Sequence, residues 1–201
     1  MWQKLLSLDT DLFLWLNSHH SPFWDSVMCF VSGKPEWIPL YLILIAFIIY
    51  RYRVQSIWIF LAVIILITLS DSVAARVIKE SVQRLRPTHN PAIESLVHIV
   101  NDYRGGSYGF VSNHASNTFA LAVFLSLLFR NRYFSIGILI WAAVVSYSRI
   151  YLGVHYPGDI IGGALLGVGW AYGVYWCLQR FLQWRKTEDQ MQPAEDGDVN
   201  E

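Results

Sequence analysis

Charged residues are scarce in this sequence, and their signs balance. Lysine and arginine together number 15, aspartate and glutamate also number 15, and the charged fraction is only 15%. A protein that attracts nucleic acid through its overall charge needs a basic excess. The balance therefore predicts no nucleic-acid partner, and the informative property of each charge is its position.

Cysteines are few, and the sequence does not predict a cleavable leader. The two cysteines, Cys29 and Cys177, lie in apolar segments that the count of spans assigns to opposite membrane faces, so we expect no disulfide. The first 20 residues carry Asp9 and Asp11 in their middle and contain no small-residue cleavage site. They predict an amphipathic helix at the membrane interface rather than a signal peptide.

Long apolar runs are what the sequence has in abundance. Hydrophobic residues make up 54% of the chain, and residues 37–50, 57–69 and 136–147 are almost free of charge. One helical crossing of a bilayer needs about 20 apolar residues. The runs predict an all-α, polytopic bundle of transmembrane helices with five spans, at residues 36–50, 56–78, 113–129, 134–148 and 158–181. Residues 23–31 predict either a short sixth span or a half-inserted helix.

The chain shows one domain and a polar tail. We predict a single membrane-embedded domain over residues 1–184, since the apolar runs continue almost to its end and no internal repeat divides it. Residues 185–201 are acidic, contain Pro193 and Gly197, and lack apolar periodicity. They predict a disordered C-terminal tail.

The basic residues indicate an orientation. The five spans alternate between two faces, and an excess of Lys and Arg marks the cytoplasmic one. That face receives Arg51, Arg53, Arg130, Arg132, Arg180, Arg185 and Lys186. The segment 79–112 and the loop 149–157 then face outward; they also carry basic residues, which is consistent with this orientation if a bound anion neutralises some of them.

The first of three polar clusters on the outward face follows the second span. Lys79 and Arg86 are seven residues apart, so a continuous helix would place both on one face. Two aligned cations suit a ligand with several anionic oxygens. The alternative is an ordinary basic flank at a membrane boundary.

The second cluster opens the third span. Ser112 is a natural N-cap, and the free N–H groups of that helix start form an anion site to which Ser112 and His114 add their side chains. A histidine beside a bound phosphate can donate a proton to a leaving oxygen. The alternative is a capping serine followed by an incidental histidine.

The third cluster precedes the last span and contains Arg149, His155 and Asp159. Asp159 near the helix start can accept a hydrogen bond from the His155 ring, which keeps the other ring nitrogen available as a nucleophile. Arg149 would hold the phosphoryl group. A structural ion pair is the alternative for Arg149 and Asp159. The count of predicted spans, which uses hydrophobicity alone, places all three clusters on one membrane face.

Taken together, the clusters resemble the three-part signature of the type 2 phosphatidic acid phosphatase superfamily. The parts are Lys79 and Arg86-Pro87 separated by six residues, then Ser112-Asn113-His114, then Ser148-Arg149, His155 and Asp159 at the matching spacing. The middle part departs from the usual Pro-Ser-Gly-His, because Val111 replaces the proline and Asn113 the glycine. Asn tolerates left-handed backbone angles better than most residues.

The resemblance implies a membrane enzyme that hydrolyses a lipid phosphate monoester or diphosphate through a phosphohistidine. It implies His155 as the nucleophile, Asp159 as the residue that orients it and His114 as the proton donor. The implied phosphate-binding residues are Lys79, Arg86, Ser112, Asn113 and Arg149. No metal or other cofactor is implied. The implied setting is a bacterial inner membrane with the site on the periplasmic side.

The lipid is not specified by the motifs. By analogy within the family, undecaprenyl diphosphate is the first expectation, and phosphatidylglycerol phosphate, phosphatidic acid and lipid A are the alternatives. A non-catalytic lipid-phosphate binder is the alternative of another class. The loop that holds His98, Asp102 and Arg104 is either a cover that contacts the lipid headgroup or a solvated connection.

Overall fold

The computed structural model describes residues 2–191, and in that part every regular element is helical. The helices are α1 (Trp2–Ser18), α2 (Pro22–Ser32), α3 (Ile38–Tyr52), α4 (Ser56–Ser72), α5 (Lys79–Val82), α6 (Asn113–Phe129), α7 (Arg132–Tyr151) and α8 (Pro157–Met191). Strand pairing among the described residues is limited to an isolated bridge between Leu85 and Tyr108. The predicted all-α class is confirmed for this part of the chain.

Each predicted span overlaps an apolar helical segment. Three helical stretches are long and apolar enough to cross a membrane, Pro35–Val82, Arg132–Tyr151 and Pro157–Glu188, and Asn113–Phe129 is a shorter apolar helix. The first stretch contains both α3 and α4, which separate at Arg53, where φ is 52°. Helix α2 has 11 residues, which at 1.5 Å each reach about 16 Å, about half of a bilayer core. That length favours the half-inserted alternative for residues 23–31.

The connection after α4 differs from the sequence prediction. A π-helical segment, Val73–Ile78, continues α4 into α5. The chain then leaves the helix at Gln83, where φ is 49°, and Arg86 is extended with ψ at 156°. The prediction that Lys79 and Arg86 share a helix face is therefore wrong. The helix already ends at Gln83, and Pro87 disfavours a return to helical geometry at Arg86, the residue before it.

Helix α6 packs tightly against α8. A Cβ atom on Gly163 would lie 2.5 Å from the Ser112 carbonyl oxygen, and one on Gly167 would lie 2.1 Å from the Ser116 carbonyl oxygen. Two glycines four residues apart let helix backbones approach closely in a membrane. The hydroxyls of Ser70 and Ser116, 2.6 Å apart, link α4 to the same region of α6.

Helix α1 covers the end of the bundle at which α6 and α8 begin. Phe13 is fully buried against Tyr156, and the Asn17 side-chain amide donates to the carbonyl oxygen of Tyr151 at 2.8 Å. Leu5, Leu8 and Trp15 on its other sides are exposed. The helix therefore combines an apolar outer surface with a face that is built into the protein.

The last helix is longer than the predicted span. It continues to Met191 and so includes residues 185–191 of the segment predicted to be a disordered tail. Leu, Gln, Arg, Lys and Glu, which favour helix, dominate the sequence between Phe181 and Met191. Residues 192–201 of the predicted tail lie outside the described residues.

Candidate active site

His155 and Asp159 form a buried pair at the start of α8. His155 lies in the turn between α7 and α8, and Pro157 begins the helix. One Asp159 carboxylate oxygen lies 3.3 Å from His155 Nδ1 and accepts the backbone N–H of Tyr156 at 3.0 Å. A proton on Nδ1 that points at the carboxylate leaves the lone pair on Nε2. The structure thus brings the Asp159 carboxylate into contact with the His155 ring, and its orienting role stays a prediction.

Arg86 contacts the nitrogen that would act as the nucleophile. One terminal nitrogen of its guanidinium lies 3.0 Å from His155 Nε2 and donates to the Val154 carbonyl oxygen at 3.1 Å. Burial lowers the pKa of His155 well below its ordinary value, and the cations of Arg86 and Arg149 lower it further. His155 is therefore neutral at physiological pH, as a nucleophile requires.

The other Asp159 oxygen belongs to an ion-pair chain that sequence reasoning did not assign. It accepts from Arg84 at 2.9 Å, and Arg84 also donates to Asp9 at 2.7 Å. The second Asp9 oxygen accepts the backbone N–H of Gly158 at 2.7 Å. The available signal was a pair of acidic residues inside an otherwise apolar N-terminal segment.

The second motif forms the start of α6. Ser112 is the N-cap, accepting the N–H of Ala115 at 3.5 Å, and its own N–H donates to the Asp159 carbonyl oxygen at 3.0 Å. Asn113 is the first helical residue, so the left-handed tolerance of Asn is not used there. Its side chain instead joins the Lys79 ammonium to the Asp71 carboxylate. The structure thus brings Lys79 to this motif by way of Asn113.

Arg149 contacts two residues that lie outside the three sequence motifs. Its guanidinium donates to the hydroxyls of Ser32 and Tyr103, the latter at 3.0 Å, and its Nε is buried without a partner among the described residues. Ser32 and Tyr103 were missed by sequence reasoning. Tyr103 lies between two residues of the predicted cover loop, Asp102 and Arg104.

Most other polar side chains of the loop are engaged within the protein. His98 pairs with Asp25 at 2.9 Å and stacks on His20. Arg104 donates to the Thr88 carbonyl oxygen at 3.3 Å. Tyr103 reaches the site through Arg149, and Val100 and Asn101 of the same loop line the cavity beside it.

Two cavities meet at His114. One of about 380 Å³ lies between α3, α4, α6 and α7, and the other of about 320 Å³ lies beneath Tyr103 and Arg149. Ser32, Gly33 and Lys34 line both cavities with His114. Lys34 was also missed, although it is a single cation between two apolar segments. His155 lines neither cavity and is only 2% exposed.

The assembled site is cationic. Lys34, Lys79, Arg86 and Arg149 come from four different segments of the chain. No group of three or more His, Cys, Asp or Glu side chains converges anywhere in residues 2–191. Such a set of donors holds an anion with several oxygens, and the neutral His155 beside it can attack that anion.

Comparison with known proteins gives consistent matches. The family model described as PAP2 superfamily matches residues 56–183. A lipid A 4′-phosphatase of Bacteroides thetaiotaomicron is 43% identical over 178 residues, which are 86% of this chain and 78% of that protein. An undecaprenyl-diphosphatase of Sulfolobus acidocaldarius is 32% identical over 170 residues, 82% of this chain and 76% of that protein.

A solved structure has the same fold. The crystal structure of a transmembrane PAP2-type phosphatidylglycerolphosphate phosphatase from Bacillus subtilis superimposes with a TM-score of 0.62. The two proteins are 23% identical, and the match covers 90% of this chain and 87% of the other. At that identity the likeness concerns the helical fold alone.

Proposed function

The chain belongs to the PAP2 superfamily and is an integral membrane hydrolase acting on phosphate, and we propose that it hydrolyses a phosphate monoester of a lipid A-type glycolipid through a phosphohistidine on His155. The observation that carries the chemistry is the buried His155–Asp159 pair with Arg86 on Nε2. The choice of lipid rests on the 43% identical relative that is named a lipid A 4′-phosphatase.

The first chemical step is an in-line attack. His155 Nε2 forms a bond to phosphorus while the bond from phosphorus to the sugar oxygen breaks, and His114, which enters the step as an imidazolium, gives one proton to that leaving oxygen and becomes neutral. Arg86 has to leave Nε2 before the attack, and its N–H groups then bind the phosphoryl oxygens. Lys79, the Asn113 N–H, Ser112 and Arg149 complete the predicted phosphate site.

The second step returns the enzyme to its starting state. Neutral His114 takes a proton from a water molecule, the water oxygen bonds to phosphorus, and the bond from phosphorus to Nε2 breaks. Inorganic phosphate leaves, and His155 is again neutral with its Nδ1 proton directed at Asp159. Fixed cations stabilise the charge that spreads over the phosphoryl oxygens in both steps.

Undecaprenyl diphosphate is the second candidate substrate. It is the lipid that the sequence analysis places first, and a 32% identical relative is named an undecaprenyl-diphosphatase. The two substrates share a phosphate on a long-chain lipid and differ in what carries that phosphate, a sugar in one case and a second phosphate in the other.

The decisive experiment measures phosphate release by the detergent-purified protein in excess EDTA. Lipid A, undecaprenyl diphosphate, phosphatidylglycerol phosphate and phosphatidic acid are compared, with His155→Ala in parallel. We expect lipid A to have the highest kcat/KM, with activity that survives chelation and is lost in the variant. Highest activity on undecaprenyl diphosphate would favour the second candidate, and no release from any lipid would favour a non-catalytic binder.

A direct test of the intermediate uses lipid A labelled with ³²P. Rapid acid-free quenching should trap label on the wild-type protein in an acid-labile, base-stable form, as a phosphoramidate is. Label should be absent from His155→Ala. Turnover without trapped label under single-turnover conditions, at enzyme in excess, would indicate direct attack by water.

A further inference from the structure

The larger cavity beside His114 has an unusual lining. Its volume is about 380 Å³, and three aromatic side chains, Trp37, Tyr41 and Trp141, form one wall. The rings of Trp37 and Tyr41 both meet the Trp141 ring edge to face, with centroids 5.6 and 6.3 Å apart. The opposite wall is polar and comes from the end of α4 and the start of α6.

Each of the two walls contains one buried polar atom that lacks a partner in the described part of the chain. Asp71 accepts the side-chain N–H groups of Asn113 at 2.8 Å and of Asn117 at 3.1 Å. The Asn117 side-chain oxygen and the Trp141 indole N–H are buried and have no hydrogen-bond partner among the described residues. One is an acceptor and the other a donor, and both lie just behind the cavity surface, so the hydroxyl groups of a ligand can satisfy them after a small shift of the side chains.

We propose that this cavity binds the sugar ring that carries the phosphate, a proposal that rests on the function proposed above. Aromatic faces suit the apolar C–H faces of a sugar, and carboxylate, amide and indole groups suit its hydroxyls. The Asp71 carboxylate in the cavity wall would repel the second phosphate of a diphosphate, against the attraction of Lys34 in the same lining. The cavity therefore favours a sugar phosphate over a prenyl diphosphate.

The position of His114 agrees with this assignment. The leaving oxygen must lie beside the residue that protonates it, and His114 lines the cavity. The group attached to the leaving oxygen therefore enters the cavity from that end. Ile67, Leu121 and Val145 continue the lining away from His114 and suit acyl chains.

The test compares variants on substrates with and without a sugar. In Asn117→Leu and Trp141→Phe, kcat/KM for lipid A should fall about tenfold, the effect of one lost hydrogen bond. Hydrolysis of p-nitrophenyl phosphate, which has no sugar, should stay within about twofold. Trp170→Phe is the matched control, because its indole N–H is also buried without a partner but lines an all-apolar cavity.

The outcomes separate the subsite from the function. If the wild type hydrolyses lipid A but the variants lose the same activity on both substrates, the sugar subsite is wrong and the function stands. The same conclusion follows if the variants lose no activity on either substrate. If the wild type does not hydrolyse lipid A, the proposed function fails and takes the subsite with it. Asp71→Asn adds a second check, since it should raise kcat/KM for undecaprenyl diphosphate severalfold relative to lipid A.

A second and independent inference concerns the ion-pair chain behind Asp159. Arg84 lies between the carboxylates of Asp9 and Asp159, and its guanidinium stacks over the Tyr156 ring at 3.9 Å. Asp159 is fully buried, whereas Arg84 and Asp9 are 18% and 15% exposed. The geometry points to Arg84 and Asp9 as positioning residues that set the effective charge of Asp159 against the His155 ring.

The sign of each effect follows from electrostatics. His155 faces the Asp159 carboxylate on Nδ1 and the Arg86 cation on Nε2, with the cations of Arg149 and Lys79 nearby. Loss of the Arg84 cation leaves Asp159 less compensated, which raises the proton affinity of His155. Loss of the Asp9 anion leaves the Arg84 cation to interact with Asp159 alone, which lowers the proton affinity of His155.

The test is the acid limb of the kcat/KM profile against pH. Arg84→Gln should move this limb up by about half a unit to one unit, and Asp9→Asn should move it down. Asp11→Asn, on the same helix but exposed, is the control and should leave it unchanged. A limb that stays fixed in all variants, as one set by the second pKa of the substrate phosphate at about 6 would, contradicts this role for Arg84 and Asp9. Shifts in the same direction, or a loss of kcat with no shift, would show a merely structural role.

Discussion

At the scale of single residues, the nucleophile is both prepared and covered. Asp159 fixes the His155 ring and Arg86 occupies its free nitrogen, at 3.0 Å. A neutral imidazole beside a guanidinium gains one hydrogen bond, while a phosphate dianion offers that guanidinium charge-assisted, two-point binding. Substrate binding therefore favours release of Nε2 by Arg86. The nucleophile is then exposed at the same time as the substrate binds.

His114 provides the sharpest test of the proposed chemistry at this scale. His114→Gln removes the proton donor, so kcat/KM for lipid A should fall about 10² to 10⁴-fold. The sugar alcohol is a poor leaving group and needs that proton, whereas p-nitrophenolate does not. For p-nitrophenyl phosphate, the rate of phosphoenzyme formation should therefore fall less than tenfold, measured as the burst of p-nitrophenol.

The contrast between the two substrates is the informative quantity. Equal losses on both would mean that His114 binds the phosphate or shapes the site rather than protonating the leaving oxygen. Because release of p-nitrophenolate does not need the His114 proton, a slow steady state after the burst would instead report the second step, in which the same residue activates water.

At the scale of helices, the contact between α6 and α8 aligns two motifs that are far apart in sequence. Ser112 and His114 begin α6, and Asp159 lies in the first turn of α8. The two helix starts are held in a fixed position relative to each other. The close approach at Gly163 and Gly167 and the hydrogen bond from Ser112 N–H to the Asp159 carbonyl oxygen hold them there. A change in helix separation should therefore affect catalysis without touching a catalytic side chain.

Gly167→Ala tests this coupling. The new methyl group would lie 2.1 Å from the Ser116 carbonyl oxygen and 2.9 Å from the Ala120 nitrogen, both backbone atoms that cannot turn aside. Overpacking of this kind costs about 1 to 3 kcal/mol. We expect a lower thermal unfolding midpoint in detergent and a kcat/KM reduced at least tenfold.

Gly169→Ala is the matched control on the same helix. Nothing lies within 4 Å of its added methyl group, and alanine favours helix over glycine by about 1 kcal/mol. Its midpoint should be unchanged or higher and its activity retained. Retained stability and activity in Gly167→Ala would mean that α6 and α8 are free to separate without consequence for the site.

The helices also show how far the sequence could be interpreted. Uninterrupted apolar runs predicted the long helices, and the N-cap role of Ser112 and the pairing of His155 with Asp159 followed from local rules. The positions of Arg86 and Asn113 did not. Arg86 depends on Gln83 turning the chain out of a helix, and Asn113 depends on Lys79 and Asp71 arriving from another helix.

Contacts between distant segments were the other limit. Asp9 reaches Arg84 only because α1 folds back over the site, and Lys34 and Tyr103 line the cavities only because α2 and the loop after α5 converge on α6. No periodicity or residue spacing in the sequence predicts these contacts. Unpaired charges inside apolar segments were the single sequence signal that pointed to them.

For the whole molecule, the remaining question is which side of the membrane the site faces. The loop over residues 87–112 lies at the site end of the bundle, and the turn at Arg53–Gln55 lies at the other end. The predicted orientation places the site end outside, because the basic residues at the opposite end mark the cytoplasm. A substrate in the outer leaflet of an inner membrane could then enter directly.

Single-cysteine labelling measures this orientation. In a variant with Cys29→Ala and Cys177→Ala, Ser95→Cys and Gln55→Cys each place one exposed thiol at opposite ends of the bundle. A membrane-impermeant maleimide should label Ser95→Cys in intact spheroplasts and Gln55→Cys only after permeabilisation, because the reagent cannot cross the bilayer. Each variant must first retain phosphate release. The reverse pattern would place the site in the cytoplasm, where it could act only on phosphates of the inner leaflet.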